Sequence, residues 1–328
     1  MEGVVGNASA RPRSGDLSIG NVARLEEFKA DCELRGMSHG SVLSYLSSIR
    51  IFSSFLSGRS RDIAWTDKSD LKAYIDYLLN ERKVSYQTLE SHFSALSAFY
   101  DWLVFEDELP ANPVLAVRKR YLKRYKGGEG FESGERKLIS VEEMARLVNS
   151  IISSRDRAII VVLAKTGVRR GELVRMNMDD VDMDHLSINL KPSAKRSNRR
   201  VFFDSETRRV LSDWLQTRKA YARTDCPALF ITESGGRINR NHVYDTVTKH
   251  AARVGLHDPQ SLKLKDRFTP HCCRHWFTTH LRRSGMPREH IQELRGDRRP
   301  DAMDIYYHID PEDLRLSYLT HMPRLGLI

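Results

Sequence analysis

The 328-residue chain is poor in cysteine, with only Cys32, Cys226, Cys272 and Cys273. Two are isolated and two adjacent, so the sequence contains neither a disulfide framework nor a C-x-x-C pair. The expectation is a reducing, cytoplasmic setting. No run of 18 or more apolar residues occurs, so no segment is expected to cross a membrane. Residues 1–16 are rich in Gly, Ser and Arg and lack the apolar stretch of a secretory leader. No repeat of 20–50 residues is found, which argues against a solenoid. Negative charge is also in deficit, with 43 Asp and Glu against 53 Lys and Arg, a net charge of +10 and a pI of about 9.5. That balance favours a polyanionic partner, most commonly nucleic acid. What is present suits folded cores, since 40% of residues are hydrophobic. The length suits two domains.

Residues 1–18 read as a flexible arm and residues 19–120 as a nearly all-helical domain. Leu25, Phe28 and Cys32 recur at helical spacing, and further helices are expected over 41–56, 71–79 and 86–105. A linker is placed at 121–136, where a basic run meets the glycine-rich stretch of residues 126–130. The run holds Arg118, Lys119, Arg120, Lys123, Arg124 and Lys126. It reads either as a solvated connector or, preferred here, as a strap along a phosphate backbone.

The second domain is expected over 137–310. Ser140 and Glu143 form a capping box that starts a helix. Another helix, 157–165, stops at Gly167. Strands are expected at 186–190 and 199–203 around a polar loop. Helices follow at 206–221, 239–252, 270–284, 287–294 and 300–307. Residues 311–328 read as a capped helix and an apolar tail with little left to pack against, which predicts docking on a neighbouring protomer. The expected fold class is mainly α with a small β-sheet: an all-helical domain joined to a mixed α+β domain.

Three constellations carry chemistry. The first is Thr-Gly-Val-Arg-Arg-Gly-Glu-Leu at 166–173, where a helix ends at Gly167 and a sharp turn fixes the angle of Arg169. Alone it reads as a helix end followed by surface arginines. The second is His-Cys-Cys-Arg-His at 271–275. His271 and Arg274, three apart, share one helical face, while Cys273, Phe277 and Leu281 form an apolar stripe. Zinc ligation fits poorly, because adjacent cysteines without a second ligand pair suit no tetrahedral site. The third is Asp-Ile-Tyr-Tyr-His at 304–308, whose tyrosines are ordinary packing residues when taken alone.

In this order and spacing the three resemble the phage-integrase and Xer-type tyrosine recombinases over about residues 20–320. The resemblance implies an all-helical core-binding domain and a catalytic domain that together clamp double-stranded DNA. It implies cleavage and rejoining through a 3′-phosphotyrosine, as in integration, excision or resolution, with no metal or cofactor. Arg169 and Arg274 then grip the scissile phosphate, and Tyr306 is the nucleophile. His271 handles the tyrosine proton, and Lys195, with Lys191 as rival, protonates the leaving oxygen. Glu172 orients Arg169. Tyr307 is a second phenol beside Tyr306, but neighbouring helical residues point about 100° apart, so only one can face a phosphate easily. Asp297 stands where the family carries a histidine or tryptophan. A carboxylate there repels a phosphate unless it holds Arg295, Arg298 or a hydrogen-bonded neighbour. Self-association, as a tetramer on two sites, follows from the same resemblance. A type IB topoisomerase-like enzyme and a non-catalytic DNA-binding accessory protein are the alternatives.

Candidate DNA contacts complete the reading. Arg240 and Asn241 open a helix and suit guanine and adenine edges. In the first domain His39, Ser41, Tyr45, Lys83, Gln87 and His92 lie near helix starts or on polar faces.

Overall fold

The computed structural model describes residues 19–122, 136–192, 199–222, 225–261, 263–297 and 309–327. The arm at 1–18 and the expected helix at 300–307 lie outside the described residues, as does most of the linker. The chain divides into two compact units, Met1–Glu132 and Ser133–Ile328.

The first unit is all helical among its described residues: α1 (Ile19–Leu34), α2 (His39–Ser57), α3 (Lys68–Asp76), α4 (Tyr86–Phe105) and α5 (Pro113–Val117). Ser38 and Ser85 cap α2 and α4 through their hydroxyls, and Asp67 with Asp70 forms a capping box on α3. α4 buries Leu89, Phe93, Leu96, Phe99, Tyr100 and Leu103, the one-sided spacing of a core helix. Phe28 meets Phe99 edge-on at 5.3 Å, and Phe52 packs on Tyr74 at 4.7 Å. His92 faces this core and not solvent. It is buried and its Nδ1 pairs with the Tyr74 hydroxyl at 2.9 Å. Burial, helped by Arg82, pushes its pKa down to about 4. This corrects its reading as a DNA contact.

The basic run begins inside this unit. α5 continues as a helical turn over Arg118–Leu122, with Leu122 buried. Arg118 pairs with Glu90 at 3.3 Å and donates to Ser94 and Ser97, so it is committed to holding α5 against α4. The reading of Arg118 as part of an extended strap is therefore corrected. Lys119 and Arg120 are exposed on that turn. Lys123 and Arg124 lie outside the described residues.

The second unit contains α6 (Val141–Asn149), α7 (Ser154–Thr166), α8 (Arg170–Arg175), α9 (Ser205–Arg218), α10 (Arg240–Arg253), α11 (Pro270–Arg283), α12 (Arg288–Arg295) and α13 (Pro311–His321). A small antiparallel sheet joins β1 (Val181–Asp182), β2 (Ser187–Leu190) and β3 (Arg199–Phe202) in the order β1-β2-β3, with Ile188 opposite Val201. β1 is two residues long and gives no sequence signal. α7 is the central element, with every residue from Ala158 to Thr166 buried. α9 and α11 pack against it.

The C-terminal segment departs from its expectation. It does have a surface to pack against, and that surface is its own unit. Leu314, Tyr318, Met322 and Leu325 are buried in this core. The Tyr318 hydroxyl donates to the Lys165 carbonyl at 2.9 Å. The fully buried Lys165 ammonium bonds Asp204, Glu206 at 2.7 Å and the Pro323 carbonyl at 2.6 Å. Glu206 in turn accepts the N–H groups of Leu325 and Leu327 at 2.9 and 3.0 Å. A buried ammonium with carboxylate and carbonyl partners on several sides is a strong anchor point for a chain segment.

Candidate active site

The arginine turn is built by Gly167. α7 ends there with φ of 61°, the left-handed conformation that glycine adopts without strain. A Cβ at this position would lie 2.4 Å from Cδ1 of Phe277 on α11. The chain then buries Val168 and opens α8 with Arg169 as its N-cap residue, in extended conformation. Glu172 returns its carboxylate to the Arg169 N–H at 2.7 Å, closing the first turn.

Glu172 is itself clamped. Both Nη atoms of Arg199, at the start of β3, meet its two oxygens at 2.9 Å each, while Nε of Arg199 donates to the Leu294 carbonyl at 3.1 Å. The side-by-side fork is the stiffest form of an arginine–carboxylate pair. A glycine makes this approach possible: Gly296 ends α12 with φ of 61°, and a Cβ there would lie 2.8 Å from Nη1 of Arg199.

Arg274 reaches the same place from α11. It is buried, and its Nη1 donates to the Gly167 carbonyl and its Nη2 to the Arg295 carbonyl at 2.8 Å. Arg169 Nη1 donates to that same Arg295 carbonyl at 3.1 Å. The remaining reach of both arginines converges on one atom. Asp297 Oδ1 lies 3.3 Å from Nη2 of Arg274 and 3.5 Å from Nη2 of Arg169, and Oδ2 lies 3.2 Å from Nη1 of Arg295. The repulsion that the sequence raises at Asp297 is thus answered locally, by three guanidinium groups. The cluster sets Arg169, Arg199, Arg274 and Arg295 against Glu172 and Asp297, leaving positive charge in excess. Burial, with Arg295 next and then Arg199 opposing the help of Asp297 and Glu172, lowers Arg274 to about 10, so it remains a cation at neutral pH.

His271 sits one turn before Arg274, exposed in the first turn of α11. Partial desolvation, then the positive charges of Arg136, Arg274, His275 and Arg295, hold its pKa below the ordinary 6.5. At neutral pH it is an uncharged imidazole able to accept a proton. Its neighbours turn away from it. Cys273 is fully buried, with its thiol pushed well above the usual range by burial, and Cys272 donates to the Arg267 carbonyl.

The other sequence candidates fall into place unevenly. Lys191, just past β2, is about half exposed and paired with Asp180 at 3.5 Å. Arg240 and Asn241 are exposed in the first turn of α10, which Asn239 caps. The Arg240 guanidinium lies against Gly171, 3.1 Å from where a Cβ would stand, so this helix start borders the arginine turn. Lys195, Tyr306 and Tyr307 lie outside the described residues. Arg199 carries no sequence signal, because a strand arginine beside a polar loop reads as surface. The family profile of the phage integrases matches residues 137–313, more than half the chain and the whole arginine cluster. The chain belongs to the phage integrase family. The integrase N-terminal SAM-like domain matches residues 25–110, within the first unit.

Curated relatives of this integrase-family chain include tyrosine recombinase XerC of Bacillus licheniformis, 26% identical over 302 residues that cover 88% of this chain and 92% of the relative. XerC of Escherichia coli is 29% identical over 240 residues, covering 72% and 74%. Among solved structures, the Tn1549 transposon integrase in complex with circular intermediate DNA matches with a TM-score of 0.64 at 19% identity, over 90% of this chain and 98% of that one. A lambda integrase dimer bound to a core site matches with a TM-score of 0.64 at 14% identity, over 88% and 80%. These likenesses carry the fold, mostly helical with a small sheet.

Proposed function

We propose that this integrase-family protein is a site-specific recombinase that cuts and rejoins double-stranded DNA through a tyrosyl-phosphate intermediate. The observation that carries the reading is the convergence of Arg169 and Arg274 on a single anionic oxygen, while backbone carbonyls hold both guanidinium groups and Glu172 also holds Arg169. Two guanidinium groups held at one point suit a phosphodiester whose charge grows on its non-bridging oxygens as phosphorus becomes five-coordinate.

In this reading the Tyr306 hydroxyl oxygen attacks the phosphorus. Its proton passes to neutral His271, needed because a free phenol has a pKa of about 10. The bond from phosphorus to the 5′-oxygen breaks, and Lys195, or else Lys191, supplies the proton for that oxygen. The 3′-phosphotyrosine keeps the energy of the broken ester, so a 5′-hydroxyl of another strand reverses the step without an energy source. Glu172 and Arg199 position Arg169. Lys119, Arg120, Lys123, Arg124, Arg240 and Asn241 hold the duplex. Assembly as a tetramer on two sites belongs to the same reading; the lambda integrase structure, a dimer bound to a core site, is in keeping with assembly on DNA.

The test is covalent trapping. DNA sites are selected from random duplexes by sequencing what the full chain retains, then nicked beside the scissile phosphate. The wild type is expected to form a protein–DNA adduct that survives denaturing gels, and Tyr306→Phe to form none. No adduct on any selected site overturns the reading. An adduct kept in Tyr306→Phe and lost in Tyr307→Phe moves the nucleophile by one residue.

A further inference from the structure

The residue that completes the arginine grip is the chain's own carboxylate. Asp297 follows the left-handed Gly296 directly, and its N–H donates to the Gln292 carbonyl at 3.1 Å, so its backbone is pinned to the end of α12. From there Oδ1 takes the anionic position that both Arg169 and Arg274 reach, while Oδ2 faces Arg295. Arg274 also donates to the Gly167 and Arg295 carbonyls, and Arg169 to the Arg295 carbonyl and to Glu172 at 3.5 Å. Arg295 Nε is buried and has no hydrogen-bond partner among the described residues, so the cluster keeps donor capacity beyond what Asp297 uses. Asp297 itself is about a quarter exposed and therefore reachable from solvent.

We infer that Asp297 is an internal substitute for the scissile phosphate: it occupies the anion position of the arginine grip while DNA is absent and yields Oδ1's place to a phosphate oxygen when the substrate binds. This rests on the proposed function only for the identity of the incoming phosphate. The physical basis is competition between like charges. The carboxylate stabilises the arginines in their converged arrangement, since like charges packed this closely repel one another without an anion between them. It also makes the grip a poor site for a lone small anion, which has to expel a resident negative charge. A duplex brings many other phosphate contacts and can offset that cost. Asp297 is thus a specificity-determining residue that keeps the grip closed to free phosphate.

The experiment measures binding of inorganic phosphate to the DNA-free full chain by calorimetry, with melting temperature followed in parallel. Removing a like charge 4–6 Å from an anion changes its equilibrium by about tenfold or more. Asp297→Asn and Asp297→Ala are therefore expected to bind phosphate about tenfold more tightly than wild type, and Asp297→Glu to bind it no more tightly. Adding Arg274→Gln to Asp297→Asn is expected to abolish the gain. In phosphate-free buffer the Asn and Ala variants are expected to melt lower than wild type, and to recover when phosphate is added. If both fold only with phosphate present, the inference is supported. If both fail to fold in either buffer, or bind phosphate no better than wild type, it is overturned. The trapping assay separates this from the proposed function. A wild-type adduct without a phosphate gain in Asp297→Asn sinks the substitute role alone; a gain without any adduct sinks the recombinase reading and leaves the anion site.

Discussion

Replacing Gly167 by alanine is the sharpest test of how this fold makes its site. The residue sits at φ of 61°, and the added methyl would lie 2.4 Å from Cδ1, 2.7 Å from Cγ and 2.9 Å from Cε1 of Phe277. The left-handed backbone costs alanine about 1–2 kcal/mol. Forcing a methyl against a buried ring in a packed interior costs about 1–3 kcal/mol more. The sum, about 2–5 kcal/mol, corresponds to a melting temperature lower by about 4–20 °C for a unit of this size. Function is expected to suffer beyond stability. The Gly167 carbonyl holds Arg274, and Arg169 lies two residues on. A shift of about 1 Å in a positioning group costs on the order of a hundredfold in rate. The assay is thermal unfolding of the full chain together with single-turnover cleavage of a nicked site at a temperature where both proteins are folded. Phe277→Leu in the alanine background is expected to return the steric part and leave the backbone part. A Gly167→Ala protein that melts within about 1 °C of wild type and cleaves within about twofold of it would refute the reasoning. So would a double variant no better than the single one.

Other consequences are checked as directly. His271 has its pKa held below 6.5, so cleavage is expected to be level at neutral pH and to fall with acid as pH drops through that depressed value; His271→Gln should remove this limb from single-turnover pH profiles, and His275→Gln should keep it. Arg199→Lys loses the fork on Glu172 and the bond to the Leu294 carbonyl. Cleavage rate is expected to fall by about tenfold to a hundredfold while DNA affinity in gel shifts stays near wild type, because Arg199 acts through Arg169. Equal losses in both readouts would contradict this. Lys165→Met strands Asp204 and Glu206 without their buried cation. Breaking such a pair costs about 3–5 kcal/mol, so the melting temperature is expected to fall by about 6–20 °C, with faster hydrogen exchange at Leu325 and Leu327.

Much of the fold is legible in local chemistry. Ser140, Ser85 and Gly167 mark helix ends because a hydroxyl cap or a left-handed turn is decided within a few residues. The pair Arg169 and Glu172 is legible for the same reason, being three apart across a helix start. Arg199 is not. Its partner Glu172 stands 27 residues earlier on α8, and no helical or strand spacing encodes that pairing. His92 lies on an amphipathic helix whose polar residues look alike in sequence; the hydroxyl of Tyr74 makes burial of this one tolerable. Asp297 is recognised in the sequence as an anomaly, but its three arginine partners come from α8, α11 and α12. The tail shows the converse limit. Its apolar spacing announces burial, yet periodicity does not say against which surface, and the polar anchor of Lys165 and Glu206 that fixes it comes from α7 and α9.

That anchor has a mechanical consequence. Lys165 stands two residues before Gly167, so the segment ending at Leu327 is fastened to the last turn of the helix from which the arginine turn springs. Pulling residues 323–327 away would bare an ammonium inside the core at that turn. Residues 323–327 and the arginine turn therefore share one anchor at Lys165, and a fluorophore placed near Leu327 is expected to report displacement of that helix end.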